Sequence, residues 1–466
     1  MKLKNNIVLL LLAISFFVSG QTSIPLPFNV YLKNVANNHP LLNRADNLIK
    51  GAEYNLKAKR GEYDPLLSGN YENKFFDSKN YYSVLYSEVK QPIFTSQYLK
   101  AGYEFGDGVY INPDTKTASY GLPFLGMEAS LLQGMFIDKR RADVLKAKEY
   151  VSLSKAERNE IINNVLYEAL TNYAEWSFIN KQLSVYDYFI KIAQLRNSGI
   201  VSLANIGEKP AIDTVEASIL YQSRLLELQS LNIELQKKSA SIIAFNWPEN
   251  GKPSFINSNF VPDSLDDLFN KVKSLLLNEL NNDTLNNPVI AQYLAKEKIM
   301  NIDVRLKTEM VKPKLDVKYN FLSGGSAPNN PQFNSNNYKW GASLSMPIFL
   351  RSSRNELKIA KLNANNIGME LSSKNNELNN KLGALKQSLN ILTEQLNMAA
   401  KNRLFSKKLL EAEKLKFDNG ESSLFLLNTR ENNWLNSELK LAEYKLKLIQ
   451  TTLQLIHSKG NLKYNL

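Results

Sequence analysis

The sequence predicts a mostly α-helical protein with a smaller β-sheet portion, built from two similar halves. Residues 131–242 and 344–455 share one pattern at a constant offset of 213 residues, and a duplication of this length indicates a repeated architecture. Each half contains a long stretch without proline, 135–205 or 351–418, which can form one continuous helix. Before these stretches, apolar and polar residues alternate with the period of a β-strand.

The first twenty residues are typical of a secretory signal peptide. Lys2 and Lys4 precede an apolar run at 7–18, and the small residues Ser19 and Gly20 follow it. The run is shorter than a membrane-spanning helix needs. We therefore expect the protein to be exported, with a buried N-terminal helix as the alternative interpretation.

The composition argues against several kinds of site and partner. The sequence has no cysteine, which excludes disulfides, thiolate metal sites and a lipidated N-terminal cysteine. Its net charge is +12, and removing Lys2 and Lys4 with the signal peptide leaves +10. Such a charge is typical of nucleic-acid binding. Export argues against that partner, and lysines scattered over helical faces form an ordinary solvated surface.

Catalytic and cofactor-binding patterns are absent from the sequence. The two histidines, His39 and His457, have no carboxylate or second histidine at the spacing of metal ligands. Phosphate-binding loops, dinucleotide fingerprints and nucleophile elbows are also missing. We expect no metal, no cofactor and no enzymatic activity.

Each half opens with a short helical segment between two prolines. Pro40 and Pro65 are 25 residues apart, as are Pro288 and Pro313. Proline is tolerated in the first turn of a helix and disfavours the helical conformation of the residue before it. We expect a helix to begin at the first proline of each pair and to end before the second.

Alternating residues in the second half predict a β-hairpin with one apolar, aromatic-rich face. That face consists of Leu315, Val317, Tyr319, Phe321, Tyr338, Trp340, Ala342, Leu344 and Met346. Strands of about nine residues can cross a bilayer when tilted, although a soluble β-sandwich has the same alternation. The first half is 35 residues longer here, and its segment 95–130 forms either an added hairpin or a long loop. Residues 89–94 and 131–136 both resemble the strand end at 345–349.

The long helices carry the three- and four-residue steps of coiled-coil seams. The first seam, on the long helix before Gly420, consists of Leu382, Leu385, Leu389, Leu392 and Leu396. The second seam, on the last helix, consists of Leu435, Leu439, Ala442, Leu446, Ile449, Leu453 and Ile456. A neighbouring stripe of Trp434, Leu441, Leu448 and Leu455 predicts packing on two sides, as in a ring of helices. Ser353 and Glu356 predict a capping box, and Gly460 predicts a helix end.

These patterns predict five segments along the chain. They are a signal peptide at 1–20, a first repeat at 21–246, a linker rich in proline, asparagine and serine at 247–262, a second repeat at 263–460 and a C-terminal tail at 461–466. Each repeat contains a short helix, a β-hairpin, a long helix and a returning helix, and the first repeat carries the 35-residue insert.

The order and duplication of these elements resemble the TolC family of outer-membrane efflux proteins, over essentially the whole mature chain. The most specific parts are Gly207-x5-Asp213-x2-Glu216-Ala217 and Met346-Pro347-Ile348-Phe349. The resemblance implies a homotrimer whose duplicated helical hairpins form an α-barrel and whose protomers each give about four transmembrane strands to a shared β-barrel. Four strands cannot close a barrel, and lipid does not tolerate open sheet edges. Three copies would supply twelve strands.

The resemblance also implies a location and partners. The protein would lie in the lipid of the outer membrane and extend into the periplasm, as the passive exit channel of a tripartite efflux or type I secretion system. A periplasmic adaptor protein would dock at the helical turns, and an inner-membrane efflux pump or ABC transporter would deliver the substrate. The turns are marked by Gly207, Glu208, Gly420 and Glu421.

Acidic residues beyond one turn match a further property of the family. Acidic side chains there often narrow the periplasmic entrance, and Asp213 and Glu216 stand at those positions, about one helical turn apart. The second half departs from the pattern, with Leu426 and Thr429 at the shifted positions. The alternative interpretation is an ordinary first-turn acidic pair favoured by the helix dipole.

Two other classes of protein share some of these features. A periplasmic adaptor or a structural coiled-coil protein of the envelope usually has one helical hairpin flanked by β domains, whereas this sequence predicts two hairpins. An ordinary porin would have many more strands and much less helix. The exit channel therefore accounts for the sequence best.

Overall fold

The structure is a computed structural model, and it describes residues 24–248, 260–280, 287–324 and 330–462. The predicted signal peptide and most of the predicted linker lie outside the described residues. The chain forms two compact units. Unit one comprises Met1–Ala45, Asn159–Asn287 and Glu377–Leu466, and unit two comprises Asp46–Arg158 and Pro288–Asn376.

Long helices alternate with groups of strands along the described chain. In order the elements are β1 (Ile24–Leu26), α1 (Phe28–Asn38), α2 (Pro40–Gly61), β2 (Leu66–Phe76), β3 (Lys79–Pro92), β4 (Gln97–Asp107), β5 (Leu122–Ser130), α3 (Lys139–Asn205), α4 (Ala211–Phe245), β6 (Phe260–Pro262), α5 (Leu265–Leu280), α6 (Pro288–Glu309), β7 (Lys314–Ser323), β8 (Phe333–Ser345), α7 (Arg351–Asp418) and α8 (Leu424–Lys459). Helices α2, α3 and α7 contribute residues to both units. Among the described helices, none is long and apolar enough to span a membrane.

The paired prolines lie where the sequence predicts them. Helices α2 and α6 are both 22 residues long and begin at Pro40 and Pro288. They end at Gly61 and Glu309, before the second proline of each pair. Proline fits the first turn because the amide group it lacks would have no partner inside the helix.

A buried aromatic group holds the core of unit one together. Tyr31, Tyr173 and Trp176 are each fully buried, and Tyr173 contacts both of the other rings. The Tyr173 hydroxyl donates to the Leu26 carbonyl at 2.9 Å and accepts from the Asp263 amide at 2.9 Å. The hydroxyl is therefore satisfied in the core, where an unpaired polar group would be costly. These bonds fix the places where β1 ends and α5 approaches.

The coiled-coil seams bury the residues that the sequence predicts. In α8, every seam residue except the half-buried Leu439 is buried. In α7, Leu382, Leu385 and Leu389 are buried, whereas Leu392 and Leu396 are half-buried. In the neighbouring stripe of α8, Leu448 and Leu455 are buried as well, so this helix packs on two sides within unit one.

The predicted capping box at Ser353 and Glu356 is wrong. Helix α7 begins two residues earlier, at Arg351, after Leu350 with a left-handed φ of 49°. Ser353 therefore already lies in the first turn. The Glu356 carboxylate instead accepts from the Ser352 hydroxyl at 3.0 Å and pairs with Lys307 at 2.7 Å.

Unit two contains one antiparallel sheet of six strands in the order β2-β3-β4-β5-β7-β8. The expectation of about four strands is therefore wrong for this sheet. Segment 95–130, which the sequence left open, contains the hairpin of β4 and β5. Its period-two pattern is present in the sequence at 99–106 but is rich in glycine, which weakens the signal of a strand. Among the described strands, β2 and β8 each pair with one neighbour, so the sheet is open.

Candidate functional site

The two helical turns of unit one have the same backbone geometry. Gly207 and Gly420 adopt left-handed φ values of 83° and 78°. The Glu208 amide donates to the Leu203 carbonyl at 2.9 Å, and in the second turn the Glu421 amide donates to a carbonyl at 2.8 Å. Together with the bond from each glycine amide to the carbonyl three residues earlier, these bonds form the Schellman motif that ends a helix. A Cβ at either position would meet no other atom within 4 Å. The left-handed backbone, and not a lack of space, therefore favours glycine here.

The predicted adaptor-facing residues are brought together at this end of unit one. Glu208 and Glu421 are exposed. Lys209 lies over the ring of Phe417 at 5.1 Å, which connects one turn to the other. The two turns therefore form a single surface, with an exposed glutamate beside each glycine.

The residues that follow the two glycines differ. Helix α4 begins after Pro210 without a side-chain cap, whereas the Ser423 hydroxyl accepts from the Leu426 amide at 3.3 Å at the start of α8. Ser422 donates to the Glu413 carboxylate at 2.5 Å, and this bond lowers the pKa of Glu413. The second turn thus has more polar connections to its own helices than the first.

Asp213 and Glu216 have different surroundings. Both side chains are half-buried. The Glu216 carboxylate accepts from the Asn428 amide at 2.9 Å, which ties α4 to α8. The Asp213 carboxylate makes no hydrogen bond or ion pair within the described part of the chain. The two acids therefore lie in one region, but only Asp213 has a carboxylate without a partner there.

Sequence reasoning missed a buried charge cluster next to these acids. The Glu431 carboxylate, 1% exposed, pairs with both Arg196 and Arg224. Arg224 also donates to the Phe189 carbonyl at 2.9 Å and to Asn432 at 3.2 Å. Charge-assisted bonds of this kind compensate for the burial of the charges.

The same cluster connects three helices to Glu216. Arg196 of α3 donates to the Asn428 side chain at 2.8 Å, and Asn428 in turn donates to Glu216. The cluster therefore joins α3, α4 and α8. A signal for it exists in the sequence, because Glu431 lies seven residues after Leu424 and four before Leu435, both buried. A charge at that apolar spacing requires a buried partner.

In unit two, the sheet has one polar and one apolar face. Strand register aligns the polar positions, where Glu128 pairs with Lys100 at 2.5 Å and with Lys90 at 3.3 Å. The opposite face aligns apolar positions across β3, β4, β5, β7 and β8. They include Val89, Ala101, Leu125, Phe321, Tyr338, Met127, Tyr319, Trp340, Val317, Ala342, Leu315 and Leu344. On this face Trp340 is 65% exposed and Leu344 is 69% exposed.

A close contact of the polar face explains one glycine in the insert. A Cβ at Gly102 would lie 2.4 Å from the ring of Phe124. That ring is buried and stacks on Tyr86 with a centroid distance of 5.9 Å. The absence of a side chain at Gly102 thus leaves room for the Phe124 ring against β4.

Among the described residues, no three histidine or acidic side chains lie close enough together to bind a metal ion. His457 contacts Asn164 through Nε2 at 2.7 Å, and burial lowers its pKa to about 4, with a further contribution from Lys381. His39 stacks on Phe245, and burial lowers its pKa as well. Both imidazoles are therefore neutral at neutral pH.

Comparison with solved structures shows that this fold also occurs in outer membrane channels. No protein-family model matches the chain, and no curated protein matches its sequence. Three solved structures are similar. They are the CmeC outer membrane channel of Campylobacter jejuni (14% identity, 94% of this chain and 86% of that chain, TM-score 0.64), the outer membrane protein VceC of Vibrio cholerae (13%, 93% and 96%, 0.65) and the MtrE outer membrane channel of Neisseria gonorrhoeae (14%, 94% and 89%, 0.63). The resemblance that the sequence predicts is thereby confirmed in the fold, and the chain has the fold of these outer membrane channels.

Proposed function

We propose that the protein is the outer-membrane exit channel of a tripartite efflux or type I secretion system and conducts substrates passively from the periplasm to the exterior. The observation that carries the proposal is the two-faced sheet of unit two. A transmembrane barrel turns an apolar face to lipid and a polar face to its lumen. The exposed Trp340 and Leu344 on one face, and the ion pairs of Glu128 on the other, have that distribution.

The open edges of the sheet support a homotrimer. In lipid the unpaired backbone groups of β2 and β8 would have no hydrogen-bonding partner, which is costly. Three copies of the six-stranded sheet supply eighteen strands, an even number within the usual range for bacterial barrels. This number replaces the twelve strands that follow from four per protomer.

Apolar stripes on the helices of unit one also support association of copies. Helix α4 exposes Ile212, Val215, Ile219, Leu226 and Ile233. Helix α7 exposes Ile391, Met398 and Phe405 at intervals of seven. Contiguous exposed apolar stripes with this spacing are typical of helix–helix interfaces. We expect α4 of one copy to pack against α7 of the next.

The turns of unit one would form the periplasmic end of the channel. There the paired glycines and glutamates, Gly207 with Glu208 and Gly420 with Glu421, offer a docking surface for an adaptor, through which a pump or an ABC transporter delivers substrate. Asp213 is the stronger candidate for an entrance acid, because its carboxylate has no partner among the described residues, whereas Glu216 is bonded to Asn428.

Fractionation and conductance test this proposal. The full-length protein should appear in the outer-membrane fraction, leave it only with detergent, and have the mass of three chains by native mass spectrometry. In planar bilayers it should open a conducting path. A soluble monomer without conductance would contradict the proposal.

A further inference from the structure

Exposed phenylalanines lie beneath cations at one end of the sheet in unit two. Phe94 follows β3 and is 55% exposed, and the guanidinium of Arg141 lies 4.0 Å from its ring centroid. Phe349 follows β8 and is 69% exposed, and the guanidinium of Arg351 lies 5.1 Å from its ring centroid. Because β3 and β8 run in the same direction, the two pairs lie at the same end.

A third pair repeats the arrangement after β5. Phe136 is 64% exposed, and the ammonium of Lys312 lies 5.2 Å from its ring centroid. Strand β5 is parallel to β3 and β8 within the sheet, so all three pairs share one end. We call Phe94, Phe136, Phe349, their cations and Arg354, which lies one turn after Arg351 on α7, the phenylalanine belt. Three repeats of one arrangement are more than the scattered exposed apolar residues of an ordinary surface.

The belt continues into the apolar face of the sheet. Ile93, Met346 and Ile348 lie beside the phenylalanines in the chain and are 48%, 47% and 90% exposed. If the apolar face contacts hydrocarbon, the belt lies at the boundary between lipid and water. Aromatic side chains concentrate at that boundary, and cations there reach the headgroup region.

The arginines of the belt have no ionic partner among the described residues. The guanidinium groups of Arg141, Arg351 and the exposed Arg354 make no ion pair or hydrogen bond with the described residues. Lys312 pairs with Glu309 at 2.5 Å, and the nearby Asp138 is occupied by Arg140 at 3.3 Å. Glu309 and Asp138 are therefore already paired with cations, and the three arginines add positive charge to the belt.

We propose that the phenylalanine belt binds the phosphate group of anionic phospholipids. The acyl chains lie along the phenylalanine rings and the apolar face, and the phosphodiester accepts hydrogen bonds from the arginines. Guanidinium groups suit this role because their planar donors match two phosphate oxygens. The inference rests on the proposed function, since it places the end of the sheet at the membrane boundary.

The test measures lipid retained by the full-length protein in mild detergent. Phosphatidylglycerol or phosphatidylcholine with the same acyl chains is added, and bound lipid is counted by native mass spectrometry. The wild type should prefer phosphatidylglycerol. The triple variant Arg141→Gln, Arg351→Gln, Arg354→Gln should lose that preference, with affinity falling about fivefold or more for each arginine that contacts a headgroup.

A matched control removes the same charge elsewhere. Arg305→Gln, Lys361→Gln and Lys386→Gln replace three exposed cations outside the belt, and the preference should stay within about twofold of the wild type. If both triple variants lose the preference for phosphatidylglycerol equally, the preference depends only on the net charge of the protein, and the proposal is overturned. Glycerol 3-phosphate, which lacks acyl chains, should not displace the lipid. Displacement at equal concentration would overturn the lipid assignment.

If the belt variant does not fold, the lipid preference of the wild type still tests the proposal. Equal retention of the two lipids by the wild type contradicts the belt whatever the variants do. Conductance of the same preparation in phosphatidylcholine bilayers is measured separately. A conducting protein without lipid preference leaves the proposed channel standing and removes the belt. A protein that does not conduct contradicts the channel, and the belt falls with it.

Discussion

Arg224 of α4 and Glu431 of α8 form an ion pair whose side chains are only 3% and 1% exposed. Arg196 of α3 contacts the second oxygen of the same carboxylate. One carboxylate therefore bridges two cations from two other helices, and the three charges sum to +1. Breaking such a pair by removing one partner costs far more than the pair contributes, because a charge is left buried without compensation.

Replacing Glu431 with glutamine should therefore destabilise unit one strongly. We expect the free energy of unfolding to fall by about 3–5 kcal/mol, measured by chemical denaturation followed by circular dichroism. Glu411→Gln is the matched control, since its carboxylate is 62% exposed and 3.8 Å from Lys407. That change should cost less than about 1 kcal/mol. Equal costs would show that the burial of the charge carries no energetic weight.

The coiled-coil seams should not tolerate charge. Leu446→Asp and Leu389→Asp each place an acid at a buried position, 9% and 4% exposed in the wild type, and should cost several kcal/mol, within about 2–7. Efflux or assembly should then fail. Lys447→Asp lies beside Leu446 on an exposed position and should be mild. The measurement is the yield of assembled protein together with thermal unfolding, and similar results at all three positions would refute the seams.

The two faces of the sheet can be distinguished at neighbouring residues. Ala342 lies on the apolar face and Ser343 on the polar face, and both are exposed. Ala342→Arg should hinder folding into lipid vesicles, by up to about 2–4 kcal/mol if the position lies near the bilayer midplane. Ser343→Arg should fold normally, because a lumen position is solvated. The measurement is the folding yield of each variant in lipid vesicles. A lower yield for Ser343→Arg than for Ala342→Arg would mean that the polar face, and not the apolar face, contacts lipid.

The entrance acids should govern ion selectivity in a trimer. If Asp213 faces the axis, three carboxylates come together. Their combined negative charge attracts cations and favours cation passage, while their mutual repulsion disfavours the ionised form of each. Asp213→Ala should weaken cation selectivity and trivalent-cation block in planar bilayers without lowering trimer yield. Glu216→Ala also removes the bond to Asn428, so we expect it to reduce stability in addition. Wild-type selectivity in a variant that carries both substitutions would leave the two acids as an ordinary first-turn pair favoured by the helix dipole.

Local rules suffice for much of the fold. The prolines at positions 40 and 288 predict where two helices begin, because the constraint lies within the residue itself. Gly207, Gly420 and Gly460 predict helix ends, because a left-handed backbone favours glycine. The seams predict burial, because apolar residues at steps of three and four lie on one side of a helix. Each of these signals is carried by residues close together in the chain.

Contacts between distant residues required the tertiary structure. The number of strands in the sheet depends on whether residues 97–107 pair with a strand on each side. In the structure β4 pairs with both β3 and β5. The partner of Glu216 is Asn428, 212 residues away, and Glu431 meets Arg224 across 207 residues. Periodicity fixes which side of an element a residue occupies, but the choice of partner depends on packing between elements. The sequence alone thus determined the repeats, the helices and the apolar faces, whereas only the fold decided which charges neutralise one another.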